Sequence, residues 1–302
     1  MLKIKSPSFF DDLTNSYKRK SEIVRKYDGM YGNYQTQHNY DLRLIVCRHA
    51  ERIDQSLGQD WYDKVFAGVP SAPRMAYKHP ALPHRLPHRS NTLLYVFDPP
   101  ISRNGELQAY AKGQDLLRTS ASVDYCYTSP ASRSVLTANA ILRGMNQNYV
   151  PLRLEPNLFE PLNWNSALLL LDKTSPFMST TDWKQTGYNV DPHYRRLNNY
   201  LSPHETEVDY YNRSRMVFDS IVRHHGKNSP AMSYRHMPKR RTILIVGHAS
   251  STEIFSTIAL RQPFDAKTFG DQCAKVPYLH TAVLERDAYT RNWHLRSVLY
   301  FR

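Results

Sequence analysis

Arg48, His49, Glu51 and Arg52 crowd the end of LRLIVCRHAERID, residues 42–54. Arginines beside a histidine suit phosphate chemistry. A guanidinium binds phosphate oxygens bidentately and stays charged at any relevant pH. An imidazole titrates near pH ~6.5, and flanking arginines favour its neutral, nucleophilic form. His49 is therefore either a ligand to an oxyanion or a nucleophile toward phosphorus. SPASR (129–133) supplies Arg133, and VGHASSTE (246–253) supplies His248. With no acid nearby to neutralise the arginines, such a pocket would take a dianion. A leaving alkoxide or phenolate also needs a proton, which a carboxylic acid placed apart from the arginines can supply. RLEPNLFEPLNW (153–164) offers Glu155 and Glu160. Glu160 stands among Leu158, Phe159 and Pro161, an apolar setting expected to raise its pKa, so it is the better general acid.

These clusters need elements that bring them together. LRLIVC (42–47), VDYCYTS (123–129) and TILIVGH (242–248) read as buried strands. Each ends in one of the polar clusters. HTAVLERD and WHLRSVLYF read as two late strands. Residues 101–120 read as a helix capped by Ser102, with Leu107, Tyr110, Ala111 and Leu117 on its apolar face. Ser129 is a candidate cap for a helix whose first residue is Pro130. Ser202 with Glu205, and Ser250 with Glu253, suggest two capping boxes. Val208, Tyr211, Phe218 and Val222 form the stripe of the helix in 202–225. Strands alternating with helices predict an α/β three-layer sandwich, a mostly parallel central sheet with helices on both faces. Helix N-termini at the strand ends add backbone N–H donors, and ligands bind outside the carboxyl ends of such strands.

Composition bounds the rest. The 302 residues suffice for a sizeable core, and the net charge of +13 favours anionic partners such as phosphorylated substrates, nucleic acid or an anionic membrane. The three cysteines do not form a disulfide framework, and Cys47 and Cys126 lie in strands as buried thiols. The N-terminus lacks an apolar signal segment, and ALLLL (167–171) is far too short to span a bilayer. A soluble, cytoplasmic protein without a membrane partner is expected. Residues 1–40 read as a polar extension before a domain at 41–302, and GKNSPAMSYRHMPKRR (226–241) as a basic loop.

CRHAER, SPASRSVLTA, LFE and VGHASS, in that order, resemble the histidine phosphatase (phosphoglycerate-mutase-like) superfamily. Within it, the chain resembles the phosphatase domains of the Sts/TULA proteins and insect ecdysteroid-phosphate phosphatase. PHRLPHRS (83–90), LRLEPNLFE (152–160) and KVPYL (275–279) add to the likeness, which covers about residues 42–285. The resemblance implies that His49 becomes phosphohistidine and that Arg48, Arg52, Arg133 and His248 hold the phosphoryl oxygens. Glu160 would protonate the leaving group and then activate water. It implies no metal and no cofactor, because arginines supply the charge compensation. A phosphorylated protein or small molecule is the implied partner, and a homodimer is compatible with the resemblance.

Two departures bear on this. Ala50 stands where the family more often has glycine, a mild change unless the backbone there needs φ > 0. ERID (51–54) replaces the Ser and later Asn of mutases, which favours phosphatase over mutase. The ubiquitin-binding and SH3 modules of the Sts/TULA proteins are not expected within these 302 residues. Residues 163–200 fall where the family places a substrate-covering insertion; its Trp164, Phe177, Trp183 and Tyr188 would bracket an aromatic or steroid-like leaving group or merely pack the lid.

Rival chemistries fail on spacing. Six residues after Cys47 stands Ile53, and six after Cys126 stands Ser132, so no Cys-x5-Arg loop exists. GHASS lacks the final glycine of a nucleophile elbow, and no P-loop or zinc-spaced set is present. The alternative is a catalytically weak phosphate-binding protein that reads phosphorylated partners, but nucleophile, acid and pocket residues are all in place. A nucleic-acid binder would rest on dispersed charge alone.

Overall fold

The computed structural model describes residues 39–66, 79–89, 91–118, 122–165, 175–197, 201–202, 204–226 and 240–299. The expected extension before Asn39, most of the basic loop, and residues 166–174 and 198–200 of the lid lie outside the described residues. Residues 40–302 constitute one compact unit.

Its centre is a sheet of six strands: β1 (Tyr40–Arg48), β2 (Tyr125–Thr128), β3 (Leu152–Leu154), β4 (Arg241–Gly247), β5 (Thr281–Asp287) and β6 (Trp293–Leu299), in the spatial order β3-β2-β4-β1-β5-β6. The first four in that order run parallel, and β5 and β6 add an antiparallel hairpin beside β1. β1 is apolar on both faces because it is covered on both. Leu42, Leu44 and Val46 enter one core; Ile45 and Cys47 enter the other. The strand ends converge in register: Arg48 lies beside Gly247, and Thr128 beside Val246. The expected α/β sandwich and its convergence of three strand ends are both present. β3, which the sequence reading did not identify, extends the sheet.

The described helices are α1 (Ile53–Leu57), α2 (Trp61–Phe66), α3 (Leu94–Phe97), α4 (Arg103–Arg118), α5 (Ser132–Gly144), α6 (Thr180–Gln185), α7 (Glu207–His225), α8 (Ala249–Ala259) and α9 (Ala266–Ala274). Single 3₁₀ turns occupy Pro156–Leu158 and Leu162–Trp164. α4 and α5 cover one face of the sheet, and α7, α8 and α9 cover the other. Among the described residues no helix is long and apolar enough to cross a membrane.

α4 buries a different face from the one its large apolar residues suggest. Leu107, Tyr110 and Leu117 are 56%, 36% and 43% exposed, while Gly105, Glu106, Ala109, Lys112, Gly113 and Leu116 are buried. The reason is a close backbone crossing with α5. A Cβ on Gly113 would lie 2.1 Å from the Ile141 carbonyl oxygen, and one on Gly144 would lie 2.0 Å from that of Tyr110. Small residues set the helix separation here, so hydrophobic periodicity points to the wrong side. Gly144→Val should therefore destabilise the fold by at least about 1–3 kcal/mol, the usual range for overpacking, because the obstacle is backbone. Chemical denaturation checks this; an unchanged midpoint would mean that the two helices separate freely.

Three helix starts also differ from expectation. α5 begins at Ser132 rather than Pro130, and its cap comes from afar: the Asp98 carboxylate accepts from Ser132 N at 2.8 Å. Ser129 is released for another contact. α7 is capped by Thr206 and Asp209, not by Ser202 and Glu205; Thr206 N donates to Asp209 at 3.0 Å and Asp209 N to Thr206 Oγ1 at 3.2 Å. Its Val208 is exposed, whereas Phe218 is buried. α8 begins at Ala249, so His248 itself occupies the cap position and donates its backbone N–H to Ser251 Oγ at 3.1 Å. Ser250 and Glu253 fall inside the helix.

Candidate active site

The carboxyl ends of β1, β2 and β4 place His49, the Ser129–Arg133 turn and His248 side by side. His49 and His248 are 3% and 1% exposed, and their rings stand edge to face 5.4 Å apart. The backbone of His49 is tied on both sides: its N–H donates to the Gly247 carbonyl at 2.9 Å, and its carbonyl accepts from Leu279 N at 3.4 Å. The side chain is equally constrained. Nδ1 lies 2.8 Å from the Ala50 carbonyl oxygen, which can only accept. Nδ1 therefore carries the proton, and Nε2 keeps its lone pair. The ring is held well below its ordinary pKa, first by burial and then by Arg133, Arg48 and His248, while the Ala50 contact pulls the other way. His248 is depressed in the same direction by burial, Arg133, Arg48 and Arg52. Its Nε2 meets Ser129 Oγ at 2.9 Å, and its Nδ1 faces Arg133 at 3.4 Å.

The arginines differ in how they are held. Arg133, on the first turn of α5, is 2% exposed and donates to Glu160 Oε1 at 2.6 Å. Asp98 lies behind it at 4.0 Å and also pairs with Arg89 at 2.8 Å. Arg48 donates to the Val276 carbonyl and lies 4.4 Å over the Tyr278 ring. Arg52 precedes α1 and pairs with both Asp54 oxygens, at 2.9 and 2.5 Å. The expectation that no acid lies near the arginines is thus corrected: Arg52 and Arg133 each have a carboxylate. Even so, Nε of Arg48 and Nε of Arg133 are buried donors with no acceptor. Buried donors left unpaired are costly, and an oxyanion with several lone pairs would satisfy them.

Glu160 joins the cluster, with Oε2 3.6 Å from His248 Nδ1. Its expected raised pKa is not found. Burial does push it up, but Arg133, His49, Arg52 and the Asn165 side chain together outweigh burial and hold it below the usual carboxylate range. Leu158 and Phe159 are buried, as their apolar character implies, but Arg133, the largest of the opposing groups, arrives from another element. Glu155 is not part of the site. It is fully buried and accepts from Asn157 N at 2.9 Å, Asn157 Nδ2 at 2.6 Å and the Tyr194 hydroxyl at 2.6 Å, shaping the turn before Glu160.

The lid aromatics divide. Trp183 is fully buried and packs edge-on against Tyr188 at 4.9 Å within the α4–α5 core, so both are packing residues. Trp164 is partly exposed and donates to Glu207 at 3.0 Å. Phe177 alone reaches the site, through Phe159 at 4.8 Å; Phe159 in turn stands edge-on to His248 at 5.1 Å. Sequence reasoning also missed several supporting groups. Thr137 accepts from Ala50 N at 2.9 Å and donates to the Arg133 carbonyl at 2.7 Å, tying α5 to the His49 loop. Tyr278 lies 5.6 Å from His49. Arg89 and Tyr278 sit inside PHRLPHRS and KVPYL, so a motif pointed to them without assigning a task. Nothing in the sequence marked Asp98.

Residues 93–274 match the model of the histidine phosphatase superfamily (branch 1). The chain belongs to that superfamily. Among curated superfamily relatives, ubiquitin-associated and SH3 domain-containing protein B of Mus musculus, one of the Sts/TULA proteins, is 33% identical over 83% of this chain and 38% of its own length. Ecdysteroid-phosphate phosphatase of Bombyx mori is 28% identical over 78% of this chain and 33% of its own length. The chain thus spans little more than a third of the curated relatives it matches. A crystal structure of the ecdysone phosphate phosphatase of Bombyx mori in complex with tungstate superposes with a TM-score of 0.68 at 26% identity, covering 84% of this chain and 92% of the other. The superfamily and the likeness to both groups agree with what the sequence motifs implied.

Proposed function

We propose that this chain hydrolyses phosphomonoesters through a phosphohistidine formed on His49. The observation that carries this is the fixed tautomer of His49: Nδ1 is committed to the Ala50 carbonyl, and Nε2 remains a lone-pair donor in a neutral ring. Nε2 attacks phosphorus, and the ester P–O bond breaks as the N–P bond forms. Arg48, Arg52, Arg133 and His248 hold the phosphoryl oxygens, a role supported by the acceptor-less Nε groups of Arg48 and Arg133. Glu160 gives its proton to the leaving oxygen. As a carboxylate it then takes a proton from water, whose oxygen attacks phosphorus, and the P–N electron pair returns to Nε2.

Glu160 must acquire that proton. In the free site Arg133 holds it as a carboxylate. A phosphate dianion competes for the same guanidinium, weakens the largest of the interactions that favour the ionised form of Glu160, and places negative charge beside it. Its proton affinity then rises, so substrate binding itself arms the acid. Phe159, Phe177 and Tyr278 near the two histidines support a leaving group with an aromatic or polycyclic body, as in phosphotyrosine or a steroid phosphate. The name of the Bombyx mori relative supports the latter.

The test is hydrolysis of p-nitrophenyl phosphate by the wild-type protein with a chelator present. Turnover is expected. Folded protein without turnover, but with phosphate bound, would instead favour a protein that reads phosphorylated partners.

A further inference from the structure

We infer that Arg213, held by Glu205, is a positioning residue for Glu160. This rests on Glu160 being the general acid. Glu160 lies on an irregular stretch between two 3₁₀ turns, where helix or strand hydrogen bonds cannot fix its direction. Arg213 supplies the missing restraint from α7. Its Nη1 donates to the carbonyls of Asn157 at 2.7 Å and Phe159 at 2.8 Å, and its Nη2 to that of Glu160 at 3.2 Å. Glu205 grips the other edge of the guanidinium through Nε and, at 2.8 Å, Nη2. The same carboxylate accepts from Leu162 N at 3.2 Å. The pair therefore ties the backbone on both sides of Glu160 to the start of α7.

The clamp is itself rigid. Its two side chains are 11% and 4% exposed, and the guanidinium lies 4.5 Å over the Tyr210 ring. Thr206 and Asp209 take over the capping of α7, which leaves Glu205 free for this pairing. Lysine has one nitrogen on a flexible stem and cannot reproduce a planar fork bound to three carbonyls and a carboxylate. A small misplacement of a proton donor reduces only the steps that need the proton.

The experiment compares kcat/KM for an alkyl phosphate and for p-nitrophenyl phosphate in wild type, Glu160→Gln, Arg213→Lys and Glu205→Gln, with melting curves for each. This parameter reports steps up to the first phosphoryl transfer and so excludes hydrolysis of the intermediate. Arg213→Lys should lose roughly 10–100-fold on the alkyl ester and less than about threefold on the nitrophenyl ester, a fraction of the full contribution of a general acid. Glu205→Gln should show the same split, smaller, and it decides the matter if Arg213→Lys does not fold. Equal losses on both substrates in the clamp variants, with a split in Glu160→Gln, overturn the inference alone. Equal losses in Glu160→Gln overturn the acid assignment and the inference with it.

Discussion

His49→Ala abolishes phosphomonoester turnover: a loss of at least about four orders of magnitude is expected, or roughly 5 kcal/mol of barrier. The size follows from what the residue supplies. Arginines and His248 can still bind a phosphate dianion, but no other described imidazole there presents a free lone pair. His248 has Nε2 against Ser129 and Nδ1 against Arg133 and Glu160. Binding of tungstate should therefore survive in His49→Ala while kcat collapses, since the substituted ring gives the anion only one contact. Equilibrium binding beside steady-state rates separates the two. A variant retaining a tenth of wild-type turnover would mean that water, or another group, attacks phosphorus directly.

Glu160→Gln carries the second large effect, and it has two parts. On an alkyl phosphate, kcat/KM should fall by roughly 10²–10⁴-fold, the range of general acid catalysis, while p-nitrophenyl phosphate should lose less than about tenfold because its leaving group needs little protonation. The second part concerns protons. In the free site Glu160 is held below its ordinary pKa, so it is ionised at neutral pH. Oxyanion binding at Arg133 raises its proton affinity. Binding of tungstate should then take up protons, and affinity should increase as pH falls toward the pKa of Glu160 in the loaded site. Calorimetry in buffers of different ionisation enthalpy measures the uptake, which should be smaller in Glu160→Gln. Equal proton uptake in both proteins would place the proton elsewhere.

The outline of the site was legible because strands announce their ends. Three apolar runs stop at Arg48–His49, Ser129–Pro130 and Gly247–His248, and parallel pairing brings those stops together. What sequence could not show was set by groups distant along the chain. Asp98, 34 residues before Ser132, caps α5 in place of Ser129. Arg133, 27 residues before Glu160, joins His49, Arg52 and Asn165 in reversing the direction of the acid's pKa against burial. On α4, Leu107, Tyr110 and Leu117 mark one face as apolar, yet a glycine crossing decides which face is buried. Local propensity is a fair guide to which elements form and a poor one where a single tertiary contact outweighs it.

The central claim is that phosphorus becomes bonded to nitrogen of His49. The most direct measurement is rapid alkaline quench of the enzyme during turnover, followed by peptide mass spectrometry, because phosphoramidates survive base and break down in acid. The expected result is one phosphoryl group on the peptide containing His49, absent in His49→Ala and accumulating in Glu160→Gln as hydrolysis of the intermediate slows. Undiminished turnover with no phosphopeptide, or a phosphoryl group on His248 instead, would contradict it.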